Sequence, residues 1–174
     1  MTMVHIYDGN RSTRLGLDNS VANGADARTE DRIRLPVKTF SEMQQALDNL
    51  LVANTSIDRL LVETHGSPGR IYLGGAAINY KVVDTWFASR GYERLFANGA
   101  HLLFNGCNVA EGDDGWRFLE TFGGAMLSLN GGQVTGWTSG GLSNPFSGHV
   151  VHLWGAVRVI YFAPGGGILE RFEQ

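Results

Sequence analysis

A histidine and the single cysteine of the chain each stand at the end of an apolar run, beside a glycine. His65 follows the run 60–64 and precedes Gly66, and Cys107 follows the run 102–106. A thiolate is a strong nucleophile, and a neighbouring imidazole can take its proton and later return it to a leaving group. These residue types therefore predict nucleophilic catalysis, with Cys107 as the nucleophile and His65 as the general base and acid.

Other polar groups near the two run ends are candidates for supporting roles. Backbone N–H groups of Gly66 and Cys107 could stabilise an oxyanion, because glycine lets the backbone approach a substrate closely. Asp8 ends the first predicted strand and is a candidate for orienting His65 or lining a substrate pocket; its alternative role is that of a turn former. Glu63 alternates with buried positions, which predicts a charge on a sheet face, with orientation of His65 as the alternative.

A structural explanation stands beside each of these roles. A single cysteine is often a small buried hydrophobic residue, and a histidine in a loop often bonds a turn. His149 and His152 have the i, i+3 spacing of helical metal ligands, but the sequence offers no third ligand, so a structural or surface role is expected. No metal and no cofactor is predicted.

The elements that must position the pair alternate between apolar strands and amphipathic helices, over a single domain of residues 1–174. This order predicts an α/β fold, a three-layer sandwich around a mainly parallel sheet that ends in a C-terminal β-hairpin. Ligands bind beyond the carboxyl ends of parallel strands, so His65 and Cys107 would share one edge if their strands are neighbours. Residues 10–31 are polar and predict a surface loop. Strands are predicted at 4–7, 32–37 (an edge strand), 59–64, 70–73 (a hairpin arm), 101–105 and 133–138. Helices are predicted at 41–51 with Ser41 as N-cap, at 82–96 with a break near Gly91, and from Asp113 or Asp114 to 129. The final hairpin is predicted at 156–162 and 168–172.

Composition narrows the possible partners. Among 174 residues, 14 are Lys or Arg and 17 are Asp or Glu, a net charge of −3 without a basic stripe. This balance argues against binding to nucleic acid or to an anionic membrane. No apolar run approaches the ~20 residues of a membrane span, and no secretory signal is evident, so a cytoplasmic protein is expected, with leaderless export as the alternative. A single cysteine excludes an intrachain disulfide.

The motifs resemble a known family. The segments Leu61–Gly69, Leu73-Gly74, Leu102–Gly112, Gly115 and Phe118-Leu119 are similar to the DUF4347 family, which belongs with the caspase-like cysteine peptidases of clan CD. In that group a His-Gly pair ends one strand and a Cys ends the next. The two residues stand 42 positions apart here, close to the roughly 50 of caspases. The resemblance covers about residues 57–140.

The resemblance implies a caspase-like fold and a thiol peptidase that cleaves peptide or protein substrates through a thioester. It assigns Cys107 as nucleophile and His65 as base, and it implies a substrate-pocket role for Trp137, Thr138 and Ser139. The caspase context Gln-Ala-Cys is replaced by Asn105-Gly106 before the cysteine. The alternatives are an inactive caspase-like binding or scaffold module and an effector or toxin protease delivered to another cell.

Overall fold

Strands and helices alternate in the computed structural model, which describes residues 1–9, 32–87, 89–143, 150–152 and 154–174. Within these residues the helices are α1 (Phe40–Val52), α2 (Tyr80–Phe87) and α3 (Gly112–Leu127), with a 3₁₀ turn at Tyr92–Leu95. The strands are β1 (Met3–Asp8), β2 (Arg32–Val37), β3 (Ile57–Glu63), β4 (His65–Ser67), β5 (Arg70–Leu73), β6 (Ala76–Asn79), β7 (Phe96–Phe104), β8 (Gly132–Trp137), β9 (Gly141–Ser143), β10 (Val150–His152), β11 (Val157–Phe162) and β12 (Ile168–Glu173). The predicted loop at 10–31 lies outside the described residues.

Seven strands form the main sheet, in the order β12-β11-β8-β7-β3-β1-β2. The five from β8 to β2 are parallel, whereas β11 runs antiparallel to both β8 and β12. β2 lies at the edge of the sheet, where its Pro36 can be accommodated because an edge strand leaves one row of N–H groups unpaired. The prediction of an α/β fold with a mainly parallel sheet and a C-terminal hairpin is therefore confirmed.

One face of this sheet carries the main hydrophobic core. Alternate residues of the parallel strands are fully buried there, and buried residues of all three helices join the same core. The ring of Phe104 lies 4.7 Å from that of Phe122 and 5.1 Å from that of Phe118 on α3, measured between centroids. Each fully buried phenylalanine contributes about 1.5–3 kcal/mol through removal of apolar surface from water. The second helical layer that a three-layer sandwich requires is not found in the described part of the chain, so that part stays a prediction.

The start of α1 differs from the prediction. The N-cap is Thr39, whose Oγ1 accepts a hydrogen bond of 3.2 Å from the backbone N–H of Glu42. The carboxylate of Glu42 in turn accepts a bond from the N–H of Lys38 at 2.7 Å. This reciprocal arrangement satisfies two donors at once and begins the helix before Ser41, so the prediction of Ser41 as N-cap was wrong.

The other helix boundaries also shift. α3 begins at Gly112, so Asp113 and Asp114 lie in its first turn and do not cap it. Their negative charges interact favourably with the helix dipole at this end. The helix predicted at 82–96 is shorter: α2 ends at Phe87, and a separate 3₁₀ turn follows Gly91. Gly91 has a φ of 75°, a left-handed conformation that interrupts a helix and favours glycine.

Two small sheets surround the carboxyl edge of the main sheet. β4, β5 and β6 form an antiparallel meander directly after β3, and β9 pairs with β10 as a hairpin after β8. The hairpin arm at 70–73 was predicted, whereas β6, β9 and β10 were not, and residues 65–67, which the sequence indicated as loop, form β4. These additions matter because β4 carries His65 and because β9 contacts Cys107.

Candidate functional site

The strands that precede the histidine and the cysteine are neighbours in the sheet. β3 pairs in parallel with β7, with Leu60 opposite Leu102 and Val62 opposite Phe104. The pairing continues past the end of β7, because the N–H of Asn105 donates to the carbonyl of Val62 at 2.9 Å. His65 and Cys107 therefore leave the sheet at the same carboxyl edge, where open parallel sheets bind ligands.

The two strand ends are packed backbone against backbone. A Cβ atom on Gly66 would lie only 2.6 Å from the carbonyl oxygen of Cys107, and 3.1 Å from its backbone nitrogen. A Cβ atom on Gly106 would lie 3.2 Å from the carbonyl oxygen of Thr64. Glycine is thus required at Gly66 by close approach, which brings the loops of His65 and Cys107 into direct contact.

The two candidate catalytic side chains differ in exposure. His65 is exposed, whereas Cys107 is half-buried. The backbone N–H of Gly141, at the start of β9, donates a hydrogen bond of 3.2 Å to Sγ of Cys107, and the carbonyl of Gly141 lies 3.6 Å from the same sulfur. Gly141 therefore both donates a hydrogen bond to the sulfur of Cys107 and accepts one from its thiol. Nothing in the local sequence of Gly141 indicates this contact.

A row of polar side chains runs across the face of the sheet opposite the main core, next to the cysteine. Glu63 is fully buried, and its Oε2 lies 2.9 Å from Nε2 of the equally buried His5. This contact lacks the alignment of a good hydrogen bond, and it becomes an ion pair when His5 is protonated. The amide nitrogen of Asn105 donates to Oε1 of Glu63 at 3.4 Å. Glu63 thus lies on a sheet face, as predicted, but is buried there in a polar network.

His152 completes this row from β10. Its Nε2 lies 3.0 Å from the amide oxygen of Asn105, and its ring stacks on Trp137 at 4.1 Å between centroids and 6° between planes. Nδ1 lies 3.3 Å from the carbonyl oxygen of Ser139 and 3.4 Å from its hydroxyl. Burial lowers the pKa of His152, because it disfavours the imidazolium, while the Ser139 carbonyl acts in the opposite direction. His152 therefore has a structural role within a strand, and the helical spacing considered from sequence does not apply; His149 lies outside the described residues.

The predicted pocket residues lie at the same edge but contact other protein groups. Thr138 accepts a hydrogen bond from the N–H of Ala156 at 2.8 Å and donates to its carbonyl at 3.1 Å. Ser139 is buried, and its carbonyl accepts from the N–H of Asn108 at 2.9 Å. Trp137 is half-buried in the stack with His152. A substrate-pocket role for these three residues stays a prediction.

Asp8 also reaches this edge. It ends β1, whose Tyr7 pairs with Glu63 on the neighbouring β3. Its predicted roles, orienting His65 or lining a substrate pocket, stay predictions. The oxyanion role predicted for the N–H groups of Gly66 and Cys107 also stays a prediction. The two residues lie where the backbone of Gly66 packs against that of Cys107.

The described residues also bear on metal binding, membrane insertion and ligand cavities. Neither a metal-suited group of three or more His, Cys, Asp or Glu side chains nor a helix long and apolar enough to cross a membrane occurs in the part of the chain that the structure describes. A cavity of about 540 Å³ lies between α2 and α3, lined among others by Asp84, Glu93 and Glu120. None of the candidate catalytic residues lines this cavity.

Comparison with known proteins gives one match. The family model described as "Domain of unknown function (DUF4347)" matches residues 20–128, a range that contains His65 and Cys107 but ends before Trp137 and His152. No curated protein and no solved structure matches the chain.

Proposed function

We propose, for a chain that belongs to the DUF4347 family, a cysteine endopeptidase activity of caspase-like type. Cys107 acts as the nucleophile and His65 as the general base and acid, and the substrate is a peptide or protein. The proposal goes beyond the family description, which assigns no function, and is argued from the site.

One observation carries the proposal. The histidine and the cysteine follow adjacent parallel strands, and the loops that bear them touch through Gly66 and Gly106. A structural cysteine would not need a glycine-mediated contact with the loop of a histidine that is exposed to solvent. Such a contact does serve catalysis, because effective catalysis requires reacting groups held in a fixed mutual orientation. The N–H of Gly141 adds a hydrogen-bond donor that holds the sulfur in place next to this contact.

The geometry suggests a sequence of steps. His65 accepts the proton of the Cys107 thiol, and the thiolate attacks the carbonyl carbon of the scissile peptide bond. The resulting oxyanion is stabilised by the N–H groups of Gly66 and Cys107. The C–N bond then breaks, and the imidazolium of His65 gives its proton to the departing amine, which leaves a thioester on Cys107. Water attacks the thioester as His65 accepts its proton, so the acid is released and the thiol is regenerated.

Mass spectrometry of a peptide library tests this proposal. The purified wild-type chain should produce new peptide termini, and both Cys107→Ala and His65→Ala should lose them. His101→Gln provides a control, because His101 is a half-buried histidine of the main sheet whose Nε2 lies 2.9 Å from the hydroxyl of Thr135. Cleavage that persists unchanged in Cys107→Ala would rule out the assignment.

The second candidate function is a binding module that keeps the fold without turnover. It is favoured by the environment of Cys107, whose sulfur is half-buried and contacted by both the N–H and the carbonyl of Gly141. Reaction of Cys107 with iodoacetamide across pH separates the two functions. A profile that is the same in wild type and in His65→Ala supports the module, whereas a profile that depends on His65 supports the peptidase.

A further inference from the structure

The hairpin of β9 and β10, called the flap below, contacts both the candidate nucleophile and the polar row of the sheet. In the flap, Gly141 pairs with His152 across the two strands. Gly141 contacts the sulfur of Cys107, and His152 contacts the side chain of Asn105. Cys107 and Asn105 are only two positions apart, so the flap is held to the cysteine loop at two adjacent points.

The orientation of Asn105 follows from its other neighbour. A carboxylate only accepts hydrogen bonds, so the amide nitrogen of Asn105 faces Glu63 and its amide oxygen faces His152. In this arrangement Nε2 of His152 donates to that oxygen, and Nδ1 of the neutral ring accepts from the hydroxyl of Ser139 at 3.4 Å. The carbonyl of Ser139, 3.3 Å from Nδ1, accepts a hydrogen bond only when the ring is doubly protonated. Through Asn105, Glu63 thereby favours one tautomer of a histidine that lies on another sheet.

Within the described residues, this chain of contacts links the flap to the strands of the main sheet. β9 and β10 have three residues each, and they form a two-stranded sheet separate from the main one. An isolated two-stranded hairpin is marginally stable in water. The described contacts of His152, namely the Asn105 bond, the Ser139 contacts and the Trp137 stack, supply the tertiary support that such a hairpin needs.

We propose that His152 is a positioning residue of the Cys107 site: through Asn105 and Glu63 it holds the flap so that the N–H of Gly141 stays on the sulfur. This role deepens the proposed function and rests on Cys107 as its reactive group. His152 itself does not touch substrate in this proposal, and it acts on the cysteine only through the flap.

Two substitutions at His152 separate the hydrogen bond from the stack. His152→Phe keeps an aromatic ring for Trp137 and loses the donor to Asn105. His152→Gln loses the ring and keeps an N–H at about the position of Nε2. If the hydrogen bond positions the flap, the phenylalanine variant fails and the glutamine variant is close to wild type. A purely structural role of the stack predicts the reverse order.

The readout is the rate of alkylation of Cys107 by iodoacetamide as a function of pH, followed by intact mass, since the chain has no other cysteine. In His152→Phe the midpoint of the profile should move up by about 0.5–1 pH unit, as expected when a charge-assisted hydrogen bond to sulfur is lost. At neutral pH this corresponds to a rate about 3- to 10-fold lower. His152→Gln and the control His101→Gln should stay within about 0.2 pH unit of wild type.

Two further arms make the result decisive. His65 follows β3, the strand next to the one that leads to Cys107, so the profiles are repeated in the His65→Ala background, where the same shift is expected. Should His152→Phe fail to fold by near-UV circular dichroism, Asn105→Ala removes the same bond and should give the same shift. An unmoved midpoint in these variants, or equal shifts in the phenylalanine and glutamine variants, overturns the proposal. Because alkylation does not require cleavage, absence of peptidase activity would refute the proposed function and leave this test intact.

Discussion

Replacement of Gly66 by alanine should separate the two loops of the candidate site. The added methyl carbon would lie 2.6 Å from the carbonyl oxygen of Cys107, whereas ordinary contact begins at 3.4 Å. The obstacle is backbone, which cannot rotate away, so the loops must move apart by about 0.8 Å. Insertion of a methyl group into a packed region costs about 1–3 kcal/mol. For a chain of this size the midpoint of thermal unfolding should fall by about 2–12 °C.

The effect on catalysis should exceed the effect on stability. A displacement near 1 Å between reacting groups can lower the rate about 100-fold, so Gly66→Ala should lose most peptidase activity at temperatures where it remains folded. The assays are thermal denaturation by circular dichroism and product formation from a cleaved peptide.

The control for this substitution lies in the same region. Gly140 is exposed next to the flap, and a Cβ atom there meets nothing within 4 Å. Gly140→Ala should therefore match wild type in both assays. Wild-type stability and activity in Gly66→Ala would refute the close contact of the loops on which the reasoning depends.

Two further predictions concern the rest of the fold. Burial, with the nearby charge of Arg59, lowers the pKa of His101 to about 4 from its ordinary 6.5. Between these pH values the unfolded chain binds a proton that the folded chain does not, so the free energy of unfolding should decrease as pH falls from 6.5 to 4. Urea denaturation of His101→Gln at several pH values should show a smaller decrease, and the same decrease as in wild type would contradict the argument. In α3, Gly123→Ala would place a methyl carbon 2.2 Å from the ring of Phe162 and should destabilise the fold by about 1–3 kcal/mol. The methyl group of Gly124→Ala meets nothing within 4 Å, so this variant should be more stable than wild type by about 0.5–1 kcal/mol. Equal urea midpoints for the two variants would count against the packing of this helix.

The parts of the fold that sequence predicts well are those with strong local signals. Apolar runs bounded by glycine mark β3 and β7 as buried strands, and the turn 164–167 marks the C-terminal hairpin. No local pattern shows that β3 and β7 are neighbours in the sheet. Their adjacency is nevertheless expected, because sequential strands in an α/β fold tend to lie side by side. The placement of His65 and Cys107 at one edge was predictable for this reason.

The flap and its anchor were not predictable for a physical reason. Strands of three residues in a segment rich in Gly, Ser and Asn carry no periodicity, so their pairing depends on contacts made elsewhere. His152 bonds Asn105 across 47 positions of sequence. Glu63 looks like a surface charge from alternation alone, whereas in the fold it is buried against His5, a residue of another strand. Interactions between distant segments decide the environment of the cysteine, and short-range patterns contain no record of them.

The central claim is that His65 and Cys107 act together on a peptide bond. Its most direct test is mass spectrometry of a peptide library with wild type, Cys107→Ala and His65→Ala, at equal concentrations of folded protein. We predict new peptide termini with wild type, none with Cys107→Ala, and at least about a 100-fold loss with His65→Ala, in line with the contribution of a general base. Equal cleavage by all three proteins, or no cleavage by wild type of any peptide in the library, would contradict the claim.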